Sequence, residues 1–355
     1  MDHSAFEYTG SPTRVIFGQD ARQRLPQVAN KLGCKRVLVL STHFQKNGAE
    51  DLACALGDKC LGVYAKAEMH TPVEVTEAAM EVIAEQKVDG LVSFGGGSTT
   101  GLGKAIAYRT DLPQIVVPTT YAGSEVTPIL GQTEGGRKVT LKSPKVLPEV
   151  VLYDPELTLT LPVPMTVTSG MNAVAHAVEA LYAKNANPVA SMMALEGAKA
   201  LLTALPVLID TPDDRNARAK ALFGAWLCGA VLGQVGMALH HKLCHTLGGS
   251  FDLPHAETHT VVLPHATAYN EAAAGEALKP LASAMGFNTL SAGLFALNSQ
   301  LGAPTALADL GMPEAGIDEA ADIALSNPYW NPRALERAPI RALIARAYAG
   351  EAPSP

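Results

Sequence analysis

GLVSFGGGSTTGLGKAIAY, residues 90–108, decides how the first part of this 355-residue chain folds. The run starts as a strand, passes through Gly95-Gly96-Gly97-Ser98 and becomes a helix from about Thr100. Small residues let a backbone approach a diphosphate closely. The free N–H groups and dipole of the helix start then favour its negative charge. Outward from this run, RVLVLS (36–41), LGVYA (61–65) and QIVVP (114–118) read as strands. AEDLACALG and VEVTEAAMEVIAEQK between them have helical spacing. Strands alternating with helices imply a parallel sheet covered on both faces.

PTTYAGSEVTP (118–128) is a second glycine-bearing loop, with hydroxyls at Thr119, Thr120 and Ser124. Two such loops at strand ends fit a dinucleotide site on an α/β sheet. A glycine run alone reads equally well as a tight turn, and no G-x-G-x-x-G follows the first strand. Ser41-Thr42 follows RVLVL, where an acidic residue would bind the adenosine ribose 2′-hydroxyl. With no carboxylate there, a 2′-phosphate meets no repulsion, so NADH and NADPH both fit.

After DPELTLTLP (154–162) the pattern changes to Ala/Leu-rich helical stretches such as SMMALEGAKALLTALPVLI and LSAGLFALNSQLG. The expectation is a Rossmann-like α/β dinucleotide-binding domain over residues 1–162 and an all-helical catalytic domain over 163–355. ALFGAWLCGAVLGQVGMAL, with its four glycines and a glutamine, reads as a buried core helix and not a membrane span. The net charge of −7, without a basic cluster, argues against a nucleic-acid surface. The N-terminus lacks a signal-peptide pattern, and five scattered cysteines suit reduced thiols in a cytoplasm.

ALHHKLCHTLGGSFDLPHAETH (238–259) holds five of the ten histidines. His241 and His245 are four apart, as are Asn172 and His176 in TSGMNAVAHAVEALYAKN, whose cap is expected at Thr168 or Ser169. His255 opens a further helix. Ligands at i and i+4 on one helix, joined by others, are how helical proteins build a divalent-metal site. A single buried histidine is more often a packed, hydrogen-bonded group. Three together after a cofactor cradle favour a functional site without settling that a metal is present. His240, His259 and His265 read as packing or supporting groups, and Cys244 as a small buried hydrophobe.

GGGS, P-T-T-x-x-G-S-E, SPKVLPEVVLYDPELTLTLP, G-M-x-A-x-x-H-A-x-E-A and H-x-x-x-H-x-L-G…P-H occur in one order over nearly the whole chain. In this the chain resembles the iron-containing alcohol dehydrogenase family. The resemblance implies the dehydroquinate synthase-like architecture, a Rossmann-like domain plus a helical one with the active site between them. It also implies dimers, and a metal held by an aspartate and three histidines. The matching positions are Asn172, His176, His241 and His255; the family's histidine near the nicotinamide falls on His245, and its lysine near the cofactor ribose on Lys138. Asn172 replaces the aspartate, and a neutral amide is a weaker ligand for a hard cation. The metal set is thus degenerate, and Fe²⁺ or Zn²⁺ binding is expected to weaken.

The same asparagine, the GGGSTTGLGKAIA loop with Gly101 in place of an aspartate, and NPYWNPR (327–333) resemble one branch of that family. That branch reduces 2-maleylacetate to 3-oxoadipate with NADH or NADPH in the breakdown of (chloro)aromatic rings. Hydride addition to a conjugated C=C gives an enolate, which a hydrogen-bond donor and an acid can serve in place of a cation. His245 or His241 is the expected acid, within a cluster that includes His176 and His255. Arg333, Lys142 and Lys242 are candidate carboxylate partners, with Tyr121 or Tyr329 as hydroxyl donors. Three alternatives compete: a metal-dependent NAD(P) alcohol dehydrogenase, a dehydroquinate synthase-like lyase, and a non-catalytic nucleotide-binding protein.

Overall fold

The computed structural model describes residues 5–135, 137–327 and 329–354, with the side chains of Arg137 and Lys138 also outside the description. By contact the chain divides into two compact units. One is Gly10–Leu161. The other takes the described residues of 162–355 together with those of 1–9, so the N-terminal segment groups with the helical part of the chain.

The first unit is built on β1 (Arg14–Phe17), β2 (Val37–Leu40), β3 (Cys60–Tyr64), β4 (Gly90–Gly95) and β5 (Gln114–Pro118), followed by β6 (Ile129–Glu134), β7 (Arg137–Lys142) and β8 (Val150–Tyr153). Six of these form one sheet in the order β1-β8-β5-β4-β2-β3, and every pairing is parallel. β6 and β7 form a separate antiparallel hairpin with Ile129 opposite Lys142. The period of two along a strand sends alternate side chains to opposite faces. Val37 and Val39 join Val92, Ile115 and Leu152 under α1 (Leu25–Lys31) and α2 (Lys46–Leu56). Leu38 and Leu40 join Leu91, Leu102 and Ile106 under α3 (Val73–Gln86) and α4 (Gly97–Thr110). Both faces are covered, which is why the strand sequences are continuously apolar.

The second unit is helical: α5 (Val163–Leu181), α6 (Pro188–Asp210), α7 (Arg215–Gln234), α8 (Leu239–Phe251), α9 (His255–Ala284), α10 (Leu290–Gln300), α11 (Gly316–Ser326) and α12 (Arg337–Ala349). α5 is buried along nearly its whole length. α6 and α7 meet at Gly197 and Gly224: a Cβ on Gly224 would stand 2.7 Å from the Gly197 carbonyl oxygen, so only glycine lets the two backbones close. α6 is long and apolar enough to cross a membrane, yet half of its apolar window is buried inside the protein.

Two expected helix starts shift. α4 begins at Gly97 instead of about Thr100, because the extended backbone turns helical directly after Gly96. α5 begins at Val163, after Pro162 and with Pro164 in the first turn, where a missing N–H costs nothing. Ser169 therefore caps nothing, and its hydroxyl donates to the Met165 carbonyl at 2.6 Å.

Candidate functional site

In the sheet, β2 leads outward to β3 while β4 leads to β5 on the opposite side. The order reverses between β2 and β4, and the carboxyl ends there border the crevice in which open α/β sheets bind ligands. Ser41 ends β2, Gly95-Gly96-Gly97 ends β4, and Thr119-Thr120 ends β5. Gly95 has φ +149°, and a Cβ on it would lie 2.5 Å from Thr99 Oγ1 and 2.7 Å from Gln45 Oε1. A Cβ on Gly96 would press on Thr120 at 2.9 Å, whereas Gly97 has nothing within 4 Å. The first turn of α4 thus presents a bare backbone to open space, which is what a phosphate requires. Gln45 Nε2 donates to Thr119 Oγ1 at 2.6 Å and ties the β2 and β5 ends together. Ser98 is half-buried, and the buried hydroxyls of Thr99 and Ser124 have no partner among the described residues. Ser41 is fully buried and donates to the Thr42 carbonyl at 3.0 Å, so it shapes the strand end.

Lys104, on α4, organises the second loop. Its fully buried ammonium donates to the carbonyls of Ser124 (2.5 Å), Thr127 (2.8 Å) and Ile129 (2.8 Å) and to Thr127 Oγ1 (3.0 Å). Burial brings its pKa down to about 7, against the opposing pull of Glu125. Sequence reading passed over this lysine, although its place two turns into the glycine-loop helix was a signal.

In the helical unit, Asn172, His176 and Glu179 lie at i, i+4 and i+7 on one face of α5. The chain breaks before α8, leaving first-turn N–H groups without helical acceptors. Ala238 offers no side-chain cap. The Glu179 carboxylate serves instead, accepting from the backbone N–H of Ala238 (3.0 Å), His240 (2.8 Å) and His241 (3.4 Å). It also accepts from His241 Nδ1 at 2.6 Å. Burial alone would raise this carboxyl; the hydrogen bonds it accepts, led by that from His241, outweigh it and hold it at about 2, fully ionised at neutral pH. Glu179 went unassigned from sequence, although it was the glutamate of the motif G-M-x-A-x-x-H-A-x-E-A.

A carboxylate accepting from Nδ1 fixes the proton there, so His241 Nε2 carries a lone pair. His176 Nδ1 lies 2.9 Å from that nitrogen and must donate to it. The result is a directed chain, Glu179 to His241 to His176. The His245 ring, on the exposed side of α8, lies 6.3 Å from that of His241. His255 is half-buried at the start of α9, its ring 4.4 Å from that of His259. His240 and His259 are fully buried and hydrogen-bonded to each other at 3.0 Å. Burial drives both pKa values down, His240 to about 3, so both rings are neutral. His265 packs edge-on to Phe295 and is held at about 4 by burial and Arg346.

The remaining expected residues are scattered. Arg333 donates to the Tyr269 carbonyl (3.0 Å) and stacks on the Tyr269 ring at 4.3 Å. Beside it, Asn331 accepts from the first N–H of α8 and bonds Asn270, so Asn331 and Arg333 are docked onto α8 and α9. Lys242 is half-buried with its ammonium 5.7 Å from the Tyr329 ring. Lys142 is exposed at the end of β7, and Tyr121 is wholly buried. The Lys138 side chain lies outside the described residues.

Of the family's metal set, Asn172 is the member that departs. Asn172 is buried with Oδ1 unpartnered, as a ligand oxygen would be, but it is uncharged. His176 and His241 point their inner nitrogens at each other. Among the described residues, the three groups whose ligand atoms converge within 4.8 Å are His240, Cys244 and His259 instead.

A phosphate-ready helix start at the reversal point of a parallel sheet, in a chain that also carries a helical unit with clustered imidazoles, defines a nucleotide-dependent oxidoreductase of two units. Residues 12–155 match the model for iron-containing alcohol dehydrogenase, and residues 166–348 that for the Fe-containing alcohol dehydrogenase family, C-terminal. The chain belongs to the iron-containing alcohol dehydrogenase family. It is 57% identical to a maleylacetate reductase of Rhizobium sp. (strain MTP-10005), over 98% of this chain and 99% of that protein. The crystal structure of a maleylacetate reductase from Agrobacterium tumefaciens superposes with a TM-score of 0.95 at 57% identity, covering 99% of this chain and 100% of that one. An iron-containing alcohol dehydrogenase from Corynebacterium glutamicum gives 0.93 at 41%, covering 99% and 98%.

Proposed function

We propose that the chain reduces the conjugated C=C bond of 2-maleylacetate to 3-oxoadipate with NADH or NADPH, in the catabolism of aromatic and chloroaromatic rings. The observation that carries this is Asn172 beside the Glu179–His241–His176 chain. Where the family has a carboxylate for a metal, this chain has a neutral amide and a set of imidazoles wired to a buried carboxylate. Identity of 57% to the Rhizobium maleylacetate reductase supports the choice of substrate.

When bound, the dihydronicotinamide would supply hydride to the alkene carbon β to the ketone; the C=C π pair would become the enolate, and a proton would close the adjacent carbon. The cofactor leaves oxidised, and one proton is taken up per turnover. Both nitrogens of His241 are engaged, so it acts through its neighbour. His176 Nε2 and His245 are the positions from which a proton or an enolate hydrogen bond is delivered. A proton added to His176 is stabilised through His241 by the Glu179 carboxylate. Lys242, adjacent to His241 in sequence, is the favoured carboxylate partner. Arg333, held on Tyr269, positions the NPYWNPR segment. The cradle Gly95-Gly96-Gly97-Ser98 with Thr119, Thr120 and Ser124 holds the pyrophosphate. Cytoplasmic localisation and a homodimer complete the proposal.

The test is NADH absorbance with 2-maleylacetate, beside simple alcohols with NAD⁺, on chelator-treated enzyme. Turnover of maleylacetate with a 1:1 loss of NADH supports the assignment. Oxidation of simple alcohols without reduction of maleylacetate overturns it.

A further inference from the structure

The convergence of His240, Cys244 and His259 is a different set from the residues used above. His240 and His241 are consecutive, so their side chains diverge by about 100° around α8. His241 turns toward Glu179 and His176, while His240 turns toward α9. Cys244, one turn further along α8, follows His240, with its Sγ 3.7 Å from His240 Nε2. His259 comes from the second turn of α9 and brings Nδ1 to 3.0 Å from the same Nε2. All three side chains are buried, at 0%, 2% and 0% exposure.

His240 Nε2 faces both His259 Nδ1 and the Cys244 thiol, so one nitrogen from each ring and the sulfur turn toward a common point. The spacing suits a shared cation. With Zn–N about 2.0 Å and Zn–S about 2.3 Å, ideal tetrahedral angles place two nitrogens about 3.3 Å apart and nitrogen and sulfur about 3.5 Å apart. The observed separations are 3.0 Å and 3.7 Å.

We propose that His240, Cys244 and His259 form a divalent-metal site of two imidazoles and one thiolate, distinct from the family's position and selective for Zn²⁺. The thiolate supplies the negative charge that Asn172 does not, and sulfur with nitrogen selects borderline-soft Zn²⁺ over hard cations. The site fastens α8 to α9. Loading releases the thiol proton, so retention strengthens as pH rises.

Cobalt is the probe, because only a thiolate ligand gives a sulfur-to-cobalt charge-transfer band in the near ultraviolet. The whole protein is produced with Co²⁺ in the growth medium and freed of loose metal by gel filtration. The expected result is about one retained cobalt per chain with that band. The band disappears in Cys244→Ser and falls at least about tenfold in His259→Asn, as for loss of a ligand. It survives His176→Gln, which removes a member of the other set. Circular dichroism checks each variant's fold. No retained cobalt, cobalt without the band, or a band that persists in Cys244→Ser would each overturn the proposal.

Discussion

Replacing Glu179 by glutamine tests the central geometry, because the change is nearly isosteric and removes one charge. The two carboxylate oxygens accept from three backbone N–H groups and from His241 Nδ1. A carboxamide has one acceptor oxygen and one NH₂, so in either orientation its NH₂ faces a buried N–H. Each unsatisfied buried donor costs about 1–3 kcal/mol, and a bond to a charged group is worth about 1.5–3 kcal/mol. Taken together these are comparable with the roughly 3–5 kcal/mol of breaking a buried charged pair by changing one partner. That corresponds to a fall of roughly 10 °C in Tm for a unit of this size. The catalytic effect is separate. Without the carboxylate, the proton of His241 no longer has to sit on Nδ1, and the direction of the chain through His176 is lost. A fall in kcat of about 10²–10⁴ follows if these rings deliver the proton, with KM for NADH little changed. Thermal unfolding and NADH turnover with 2-maleylacetate read the two effects independently. A Glu179→Gln enzyme with wild-type Tm and kcat would refute the reasoning at its root.

Lys104→Met removes the ammonium that holds the carbonyls of Ser124, Thr127 and Ile129 in the loop proposed to hold the cofactor. KM for NADH should rise about tenfold, the equivalent of about 1.4 kcal/mol, while kcat at saturating cofactor holds; unchanged NADH affinity would show that the loop orders without its lysine. Asn172→Asp restores a carboxylate beside His176 and should tighten Zn²⁺ or Fe²⁺ retention by about tenfold or more. A chelator-competition titration with no gain would show that the position no longer belongs to a metal set. Acid should destabilise the folded chain early. His240 and His265 are held at about 3 and about 4, below the ordinary 6.5, so the unfolded chain binds protons the folded one refuses. Stability is then complete above pH 6.5 and falls as pH drops; Glu179, held at about 2 against 4.5, adds a further loss below pH 4.5. Urea midpoints that stay level between pH 6.5 and 4.5 would contradict this.

The parts of the fold that showed in the sequence are those governed by local pattern. β4 and β5 fall on residues 90–95 and 114–118 as read, because a doubly covered strand is an unbroken apolar run ended by Gly or Pro. β1 (RVIF) and β8 (VVLY) were not read as strands. Each is four residues long, and what makes them strands is distant pairing, β1 with β8 across more than a hundred residues and β8 also with β5, which no window of sequence contains. The β6–β7 hairpin was missed because Gly131, Gln132 and Thr133 look like loop; cross-strand pairing overrides their propensity. In the site, the i, i+4 spacing brought out Asn172, His176, His241 and His245. Glu179 stayed hidden because its role is to cap a helix sixty residues downstream, an interaction that exists only once α5 and α8 pack.

That cap also explains how the chain dispenses with the family's aspartate. A carboxylate at Asn172 would stand one turn before His176, on the same face of α5 that carries Glu179. Two buried carboxylates beside two imidazoles need a cation to be tolerated. With asparagine there, one carboxylate remains, and three backbone N–H groups, one imidazole and the Tyr182 hydroxyl donate to it. The imidazole pair is then free to adopt a single tautomeric direction instead of turning both lone pairs toward a metal. A carbonyl acceptor would be poorly served by such a pair, since hydride on the carbonyl carbon places a full charge on oxygen at once. An enone shares that charge between the oxygen and the α-carbon, and a hydrogen bond from a His176 that has gained a proton suffices. The substitution at Asn172 and the proposed change of acceptor from C=O to C=C are thus two sides of one electrostatic adjustment, with Glu179 as the fixed charge around which both are arranged.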